Sequence, residues 1–196
     1  ATLKIVLAAV FLWIVSRHAL LRNPLLAGWT GMIGLILLLH FGFFQLLSLA
    51  WRAAGVNAPP LMRAPLLSHS LSEFWGKRWN TAFHHLVAKF LFRPLHRTFG
   101  VSTATMFVFL ASGLVHDLVI SLPARGGYGL PTLYFLLQGA GVLFERTHPG
   151  RALGIDHGFR GWLFTLLFTA GPVCCLFHPP FIHYVILPFL KCLGAI

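Results

Sequence analysis

Acidic side chains are the scarcest resource in this 196-residue sequence: four Asp and Glu stand against fifteen Lys and Arg, for a formal net charge of +11. All charged residues together make up only 10% of the chain, where soluble domains carry about 25%. So few charges exclude an ordinary soluble surface, and the composition is far too apolar for disorder. Cysteine is also scarce. The three present, Cys174, Cys175 and Cys192, are odd in number and sit in apolar stretches, which excludes a disulfide framework. Internal repeats, low-complexity tracts, and Walker, Rossmann or nucleic-acid signatures are absent. The basic excess does not cluster on a soluble module, which argues against nucleic acid as a partner.

What is present in abundance is apolar surface. Hydrophobic residues make up 57% of the chain, with nineteen Gly, nineteen Phe and six Trp among its 196 residues. The bilayer is the natural solvent for such a sequence. Apolar runs occur at about 1–16, 24–51, 101–122, 131–145, 161–177 and 181–190; a helix needs about 20 apolar residues to cross, or 17 at the short end. The expected fold is all-α: an integral, multi-pass membrane bundle of about six spans, organised as one domain over residues 1–196. Assigning the loops alternately to two sides puts twelve of the fifteen cations on one side, seven of them in the 52–100 segment. That is a strong positive-inside bias, and it predicts that 52–100 faces the cytosol, from a bacterial inner membrane or an endoplasmic reticulum. The sequence begins at Ala1 with an apolar run almost at once, which reads as the C-terminal part of a longer chain. Residues 4–15 lack the small-residue cleavage site of a signal peptide.

Within 52–100, Pro59, Pro60 and Pro65 mark an irregular start. Ser70-Leu71-Ser72-Glu73 then forms a capping-box pattern. Helical spacing puts Leu71, Trp75, Trp79, Ala82, Phe83, Leu86 and Phe90 on one stripe, with Lys77, Asn80 and His84 opposite. One amphipathic helix ending before Pro94 is predicted, lying at the interface or re-entering the membrane. Its simplest role is anchorage, with Trp75 and Trp79 as interfacial aromatics and the cations on lipid headgroups. On that reading Glu73 is a cap and Asn80 an ordinary polar residue.

The 101–122 run holds the most unusual feature. Ser102, Thr105, Phe109, Ser112, Gly113 and His116 fall on one helix face, and His116-Asp117 lies deep in an apolar stretch. Ionisable groups at such depth face a cavity or a neighbouring helix, and the small polar stripe fits either tight packing or a polar chamber wall. A neutral imidazole can take a proton from a hydroxyl. No Ser elbow or reactive Cys accompanies it, so direct transfer of an activated acyl group to that hydroxyl fits better than a covalent acyl-enzyme.

The stretch Ser70-Leu71-Ser72-Glu73-Phe74-Trp75-Gly76-Lys77-Arg78-Trp79-Asn80, followed by Ala111-Ser112-Gly113-Leu114-Val115-His116-Asp117, resembles the membrane-bound O-acyltransferase family, nearest its wax-synthase-like branch. The specific likeness covers about residues 66–123. In that family an FW-x-x-x-W-N stretch lies on a cytosol-side helix and a signature His follows in a membrane helix. The resemblance implies a helical bundle with a tunnel where acyl-CoA meets the hydroxyl of a lipid or long-chain alcohol. His116 would be the catalytic base and Asn80 the second signature residue. Trp75, Trp79, Ser112 and Asp117 would be substrate-binding, with Lys77 and Arg78 offered to the CoA phosphates on charge and location alone. Acyl-CoA is then a co-substrate, and neither a cofactor nor a metal is required. Asp117 stands where many relatives carry Glu.

Other classes compete. His40 and His116, in different apolar runs, would suit a bis-His haem protein. Cys174, Cys175, His178 and His183 suggest zinc only weakly, since Pro179-Pro180 interrupts their spacing. His116-Asp117 could serve as the proton relay of a transporter, although two related halves are not visible. Acyl transfer from CoA to a hydroxyl lipid is the favoured function. The sequence leaves chain length, acceptor and oligomeric state open.

Overall fold

Asn23 and Pro24 make the first sharp turn of the chain. The Asn23 side chain accepts from the Leu25 N–H at 2.7 Å, capping a helix that opens with proline, whose missing N–H costs nothing there. This turn joins α1 (Thr2–Leu20) to α2 (Pro24–Ala53) as an antiparallel hairpin. The structure, a computed structural model, describes residues 2–196, and helices are the only regular secondary structure among them.

Two compact units form. The first comprises residues 1–62, 123–127 and 178–196, described from residue 2 onward. Small residues on α2 let its neighbours approach closely: a Cβ at Gly34 would lie 2.7 Å from Leu12 of α1. On the same helix a Cβ at Gly28 would lie 2.1 Å from Ile182, and one at Gly31 2.3 Å from Leu190. Ile182 and Leu190 belong to the C-terminal helical segment 179–192, and both are buried. Arg17 of α1 donates to the carbonyls of Gly194 (2.6 Å) and Ala195 (3.2 Å), satisfying carbonyls beyond the end of that segment. Buried His178 accepts from the Phe181 N–H and so caps its start.

The second unit, residues 63–122 and 128–177, carries the sequence features of interest. After a 3₁₀ turn at Pro65–Leu67, a short helix α3 (71–78) begins at Ser70, whose hydroxyl accepts from the Glu73 N–H at 3.0 Å. The predicted capping box forms with one difference. The Glu73 carboxylate reaches back to the His69 N–H, at 2.7 Å, one residue earlier than the capping residue. The single helix expected to end before Pro94 is not continuous. Asn80 adopts a left-handed conformation (φ 43°) and starts a new helix, its side chain accepting from the Phe83 N–H at 3.3 Å. Asn is among the few non-glycine residues that occupy this region readily, so the chain can turn between Trp79 and Thr81.

The new helix, α4 (Thr81–Ala124), does not stop before Pro94 either. A wide turn at Ala88–Phe92 precedes the proline, and such π-type turns absorb a missing intrahelical bond. The break falls instead at Gly100, where φ is 80° and ψ 173°. α4 is thus two limbs: an amphipathic one over 81–99 and an apolar one over 101–124. The second limb packs against α5 (Leu130–Glu145), and they approach so closely that a Cβ at Gly113 would lie 2.7 Å from Thr132 Cα. The unit is completed by α6 (Gly158–Leu176), and Trp162 of α6 donates to the Leu66 carbonyl at 2.8 Å.

Among the described residues, four helices are long and apolar enough to cross a membrane: α1, α2, α4 and α6. The count of about six expected from the runs is not confirmed, because the remaining two runs form shorter helices. α5 has 16 residues, or about 24 Å of rise, and the 179–192 segment about 21 Å, against a hydrocarbon core of about 30 Å.

Candidate active site

His116 sits on the second limb of α4, half-buried. Its Nδ1 lies 2.7 Å from the Ser112 carbonyl oxygen. A carbonyl can only accept, so Nδ1 carries the proton, and in the neutral ring the lone pair is on Nε2. Phe135 of α5 packs on the ring at a centroid distance of 4.3 Å. Orientation of the imidazole is thus fixed from two sides by groups that do not titrate.

His116 lines a cavity of about 370 Å³ within the second unit, in the range of small-molecule sites. One wall is the α4 face read from the sequence: Thr105, Phe109, Ser112 and His116 all line it. The hydroxyls of Thr105 and Ser112 bond back to the carbonyls of Val101 and Val108, both at 2.9 Å, so the wall is polar without being strained. Ser102 lies outside the lining and Gly113 is used for the crossing with Thr132. The opposite wall comes from α3 and the start of α4, with Trp75, Trp79 and Asn80. Trp75 is edge-on to Phe109 and also packs against Phe135, while its indole N–H points to Gln138 Oε1 at 3.3 Å. Trp79 stacks on buried Phe74. The left-handed turn places Asn80 on the same cavity as His116, although 36 residues separate them.

The structure therefore gathers five of the residues singled out by sequence, Trp75, Trp79, Asn80, Ser112 and His116, around one space. The other three lie elsewhere. Arg78 pairs with Glu73 at 2.7 Å and also donates to the carbonyls of Arg63 and Ala64. Burial alone would raise the Glu73 carboxyl; the His69 N–H and Arg78 outweigh that and hold it below the usual glutamate range. Lys77 is exposed and outside the lining. Asp117, next to His116 in sequence, turns to the other side. It accepts from the Ser121 hydroxyl (2.8 Å), the Gly129 N–H (2.8 Å), the Thr132 N–H (3.1 Å) and the Thr132 hydroxyl. That carboxylate ties the end of α4 to the start of α5, which is a structural duty.

Sequence reasoning missed the contribution of α5. Gln138 is fully buried and donates to the Phe168 carbonyl at 2.6 Å. A lone amide in an apolar run was the available signal. Glu145, also buried, accepts from the N–H groups of Leu71 and Ser72, both at 2.8 Å, and so holds the first turn of α3 from 73 residues away. Arg146 donates through Nε and Nη2 to the Ser72 hydroxyl and lines the cavity. No group of three or more His, Cys, Asp or Glu side chains that could hold a metal ion occurs among the described residues.

Comparison with known proteins meets this geometry at the same segment. Residues 58–137 match the model of the Membrane bound O-acyl transferase family, which includes α3, both limbs of α4 and the Phe135 end of α5. Curated proteins with long-chain-alcohol acyltransferase names are similar to the chain at modest identity. A "Probable long-chain-alcohol O-fatty-acyltransferase 7" of Arabidopsis thaliana is 28% identical over 66% of this chain and 42% of its own length. Its number 3 counterpart in the same plant is 28% identical over 86% of this chain and 57% of its own length. A "Long-chain-alcohol O-fatty-acyltransferase" of Simmondsia chinensis is 27% identical over 46% of this chain and 29% of its own length. The chain thus spans about half the length of the first two relatives. No solved structure matches it significantly.

Proposed function

We propose that the chain carries the acyl-transfer site of a membrane-bound O-acyltransferase, moving a fatty acyl group from acyl-CoA to the hydroxyl of a long-chain alcohol or similar lipid. The observation that carries this reading is the shared cavity. It is lined by His116, whose neutral ring carries its lone pair on Nε2, and by Asn80, within walls that are otherwise mostly aromatic and aliphatic. The names of the relatives supply the reaction class.

In this mechanism His116 Nε2 takes the proton of the acceptor hydroxyl as its oxygen attacks the thioester carbonyl. The C–S bond then breaks, and the imidazolium returns the proton to the departing CoA thiolate. Asn80 orients the thioester or acceptor, and Trp75, Trp79 and Ser112 shape the space around it. Asp117 serves the site by setting the α4–α5 turn. The chemistry requires no metal or redox group. The acyl and alcohol chains enter from the bilayer, with the 52–100 segment at the cytosolic surface of a multi-pass protein of about six crossings. Exclusion of bulk water favours the alcohol over hydrolysis.

The test is ester formation from labelled acyl-CoA and a long-chain alcohol in membranes containing the protein. General-base help contributes roughly 10²–10⁴ in rate, so His116→Ala should lower transfer by that factor at unchanged protein level. Retention of wild-type transfer by that variant would remove His116 as the base. Absence of any ester from the wild-type protein with a panel of alcohols would remove the acyltransferase reading.

A further inference from the structure

We infer that Arg146 is the phosphate-binding residue of the site, taking the phosphates of the acyl-CoA donor at the cavity end remote from His116. The inference rests on the acyl-transfer reading and adds to it a binding residue that neither the motifs nor charge counting indicated. Arg146 is the one Lys or Arg among the lining residues. Lys77 and Arg78, the cations next to the tryptophans, are not among the lining residues: Lys77 is exposed outside the cavity, and the Arg78 fork is held by Glu73 and two carbonyls.

Placement supports the assignment. Phe135 packs on His116, and Arg146 directly follows the last residue of the same helix. Eleven residues at 1.5 Å each put about 16 Å between those levels. A CoA thioester needs such a separation, because its extended pantetheine arm spaces the reacting carbonyl from the diphosphate. The guanidinium is also prepared for an anion. Nε and Nη2 are fixed on the Ser72 hydroxyl at 3.0 and 2.9 Å, which orients the planar fork and leaves its other N–H donors for a phosphate oxygen. Arg151 bonds through Nε and Nη2 to the Arg146 carbonyl, bringing a second positive charge to the same turn. The adjacent Glu145 carboxylate does not compete, since both of its oxygens are turned inward to α3.

A lipid headgroup offers the same phosphate chemistry, so the experiment separates the two sources. Transfer to a long-chain alcohol is measured for wild type, Arg146→Gln and Arg146→Lys in a phosphate-free maltoside detergent and in phosphatidylcholine vesicles. Donors are acyl-CoA and the corresponding acyl-N-acetylcysteamine thioester, which has no phosphate. Loss of one charge-assisted contact should raise the KM for acyl-CoA about ten- to hundredfold in both media for Arg146→Gln. The thioester lacking phosphate should be used equally by wild type and variant, and Arg146→Lys should recover part of the loss. An unchanged KM for acyl-CoA in an active Arg146→Gln protein overturns the inference and leaves the acyl-transfer reading standing. A defect confined to vesicles assigns Arg146 to a headgroup, and an equal loss with both donors assigns it to holding Ser72; either also overturns it. An inactive wild type defeats the acyl-transfer reading itself.

Discussion

Asn80 shows how one residue can hold two duties that a mutation must separate. Its backbone occupies the left-handed region and its side chain caps the helix that begins at Thr81, while the residue also lines the cavity. Asn80→Ala removes the cap and places a Cβ-bearing residue without local hydrogen bonding at positive φ. Together these should cost on the order of 2 kcal/mol. Asn80→Gly accepts the backbone freely and loses only the cap, so it should melt well above the alanine variant. If Asn80 also contacts substrate, transfer falls equally in both. Thermal melts set beside initial rates check this, and activity that follows stability would leave Asn80 as a turn residue only. Glu73, by contrast, is predicted to act purely on stability. Its folded-state carboxyl titrates below the unfolded value, so its pairing with Arg78 stabilises above the ordinary glutamate value of 4.5 and is lost as pH falls through the lower folded value. Wild type should melt above Glu73→Gln at neutral pH, with the two curves converging as pH falls below 4.5 and through the lower folded value. A gap that stays constant throughout acid titration would contradict this.

At the scale of elements, the cavity depends on how α3 is held against α4 and α5. Glu145 is a buried link of this kind, since it satisfies two N–H groups of the first turn of α3. Glu145→Ala leaves the Leu71 N–H without that acceptor inside the protein, and destabilisation on the order of 3 kcal/mol is expected. A melting temperature in detergent equal to that of wild type would show that α3 is held by other means. This contact also marks the limit of what the sequence alone reveals. Local rules identified the Ser70 cap and the face of 101–122 that lines the cavity, because both follow from short-range spacing and helical period. The same period ran too far across Trp79–Asn80: an apolar stripe continues through a left-handed turn without any change in pattern, and only the tolerance of Asn for positive φ hinted at the break. Pro94 misled in the opposite direction, since a wide preceding turn let the helix pass it. Glu145 and Arg146 act on Ser70–Ser72 through tertiary contacts that no periodicity encodes. Asp117 looked like a partner of His116 because they are adjacent, yet consecutive helix positions diverge by about 100° and the two face different neighbours.

For the whole molecule, the consequence is a topology that hinges on Gly100. Thr81–Ala124 as one straight 44-residue helix would measure about 66 Å, twice the hydrocarbon thickness. Broken at Gly100, it offers an amphipathic limb carrying Lys89, Arg93, His96 and Arg97 and an apolar limb of about 36 Å, enough to cross with some tilt. The basic limb then remains at one surface, in keeping with the concentration of cations in 52–100. If the apolar limb crosses, as proposed, it carries His116 to membrane depth, and its far end meets the loop before α5. Two exposed positions flank this limb within the same unit, His96 before it and Tyr128 after it. With Cys174, Cys175 and Cys192 replaced by Ser, single cysteines at these two positions should react with a membrane-impermeant maleimide from opposite faces of sealed vesicles, the His96 position from the cytosolic one. Labelling of both from the same face would mean that 101–124 does not cross. His116 would then lie at an interface open to water, and the proposed preference for an alcohol over hydrolysis would have lost the barrier that makes it possible.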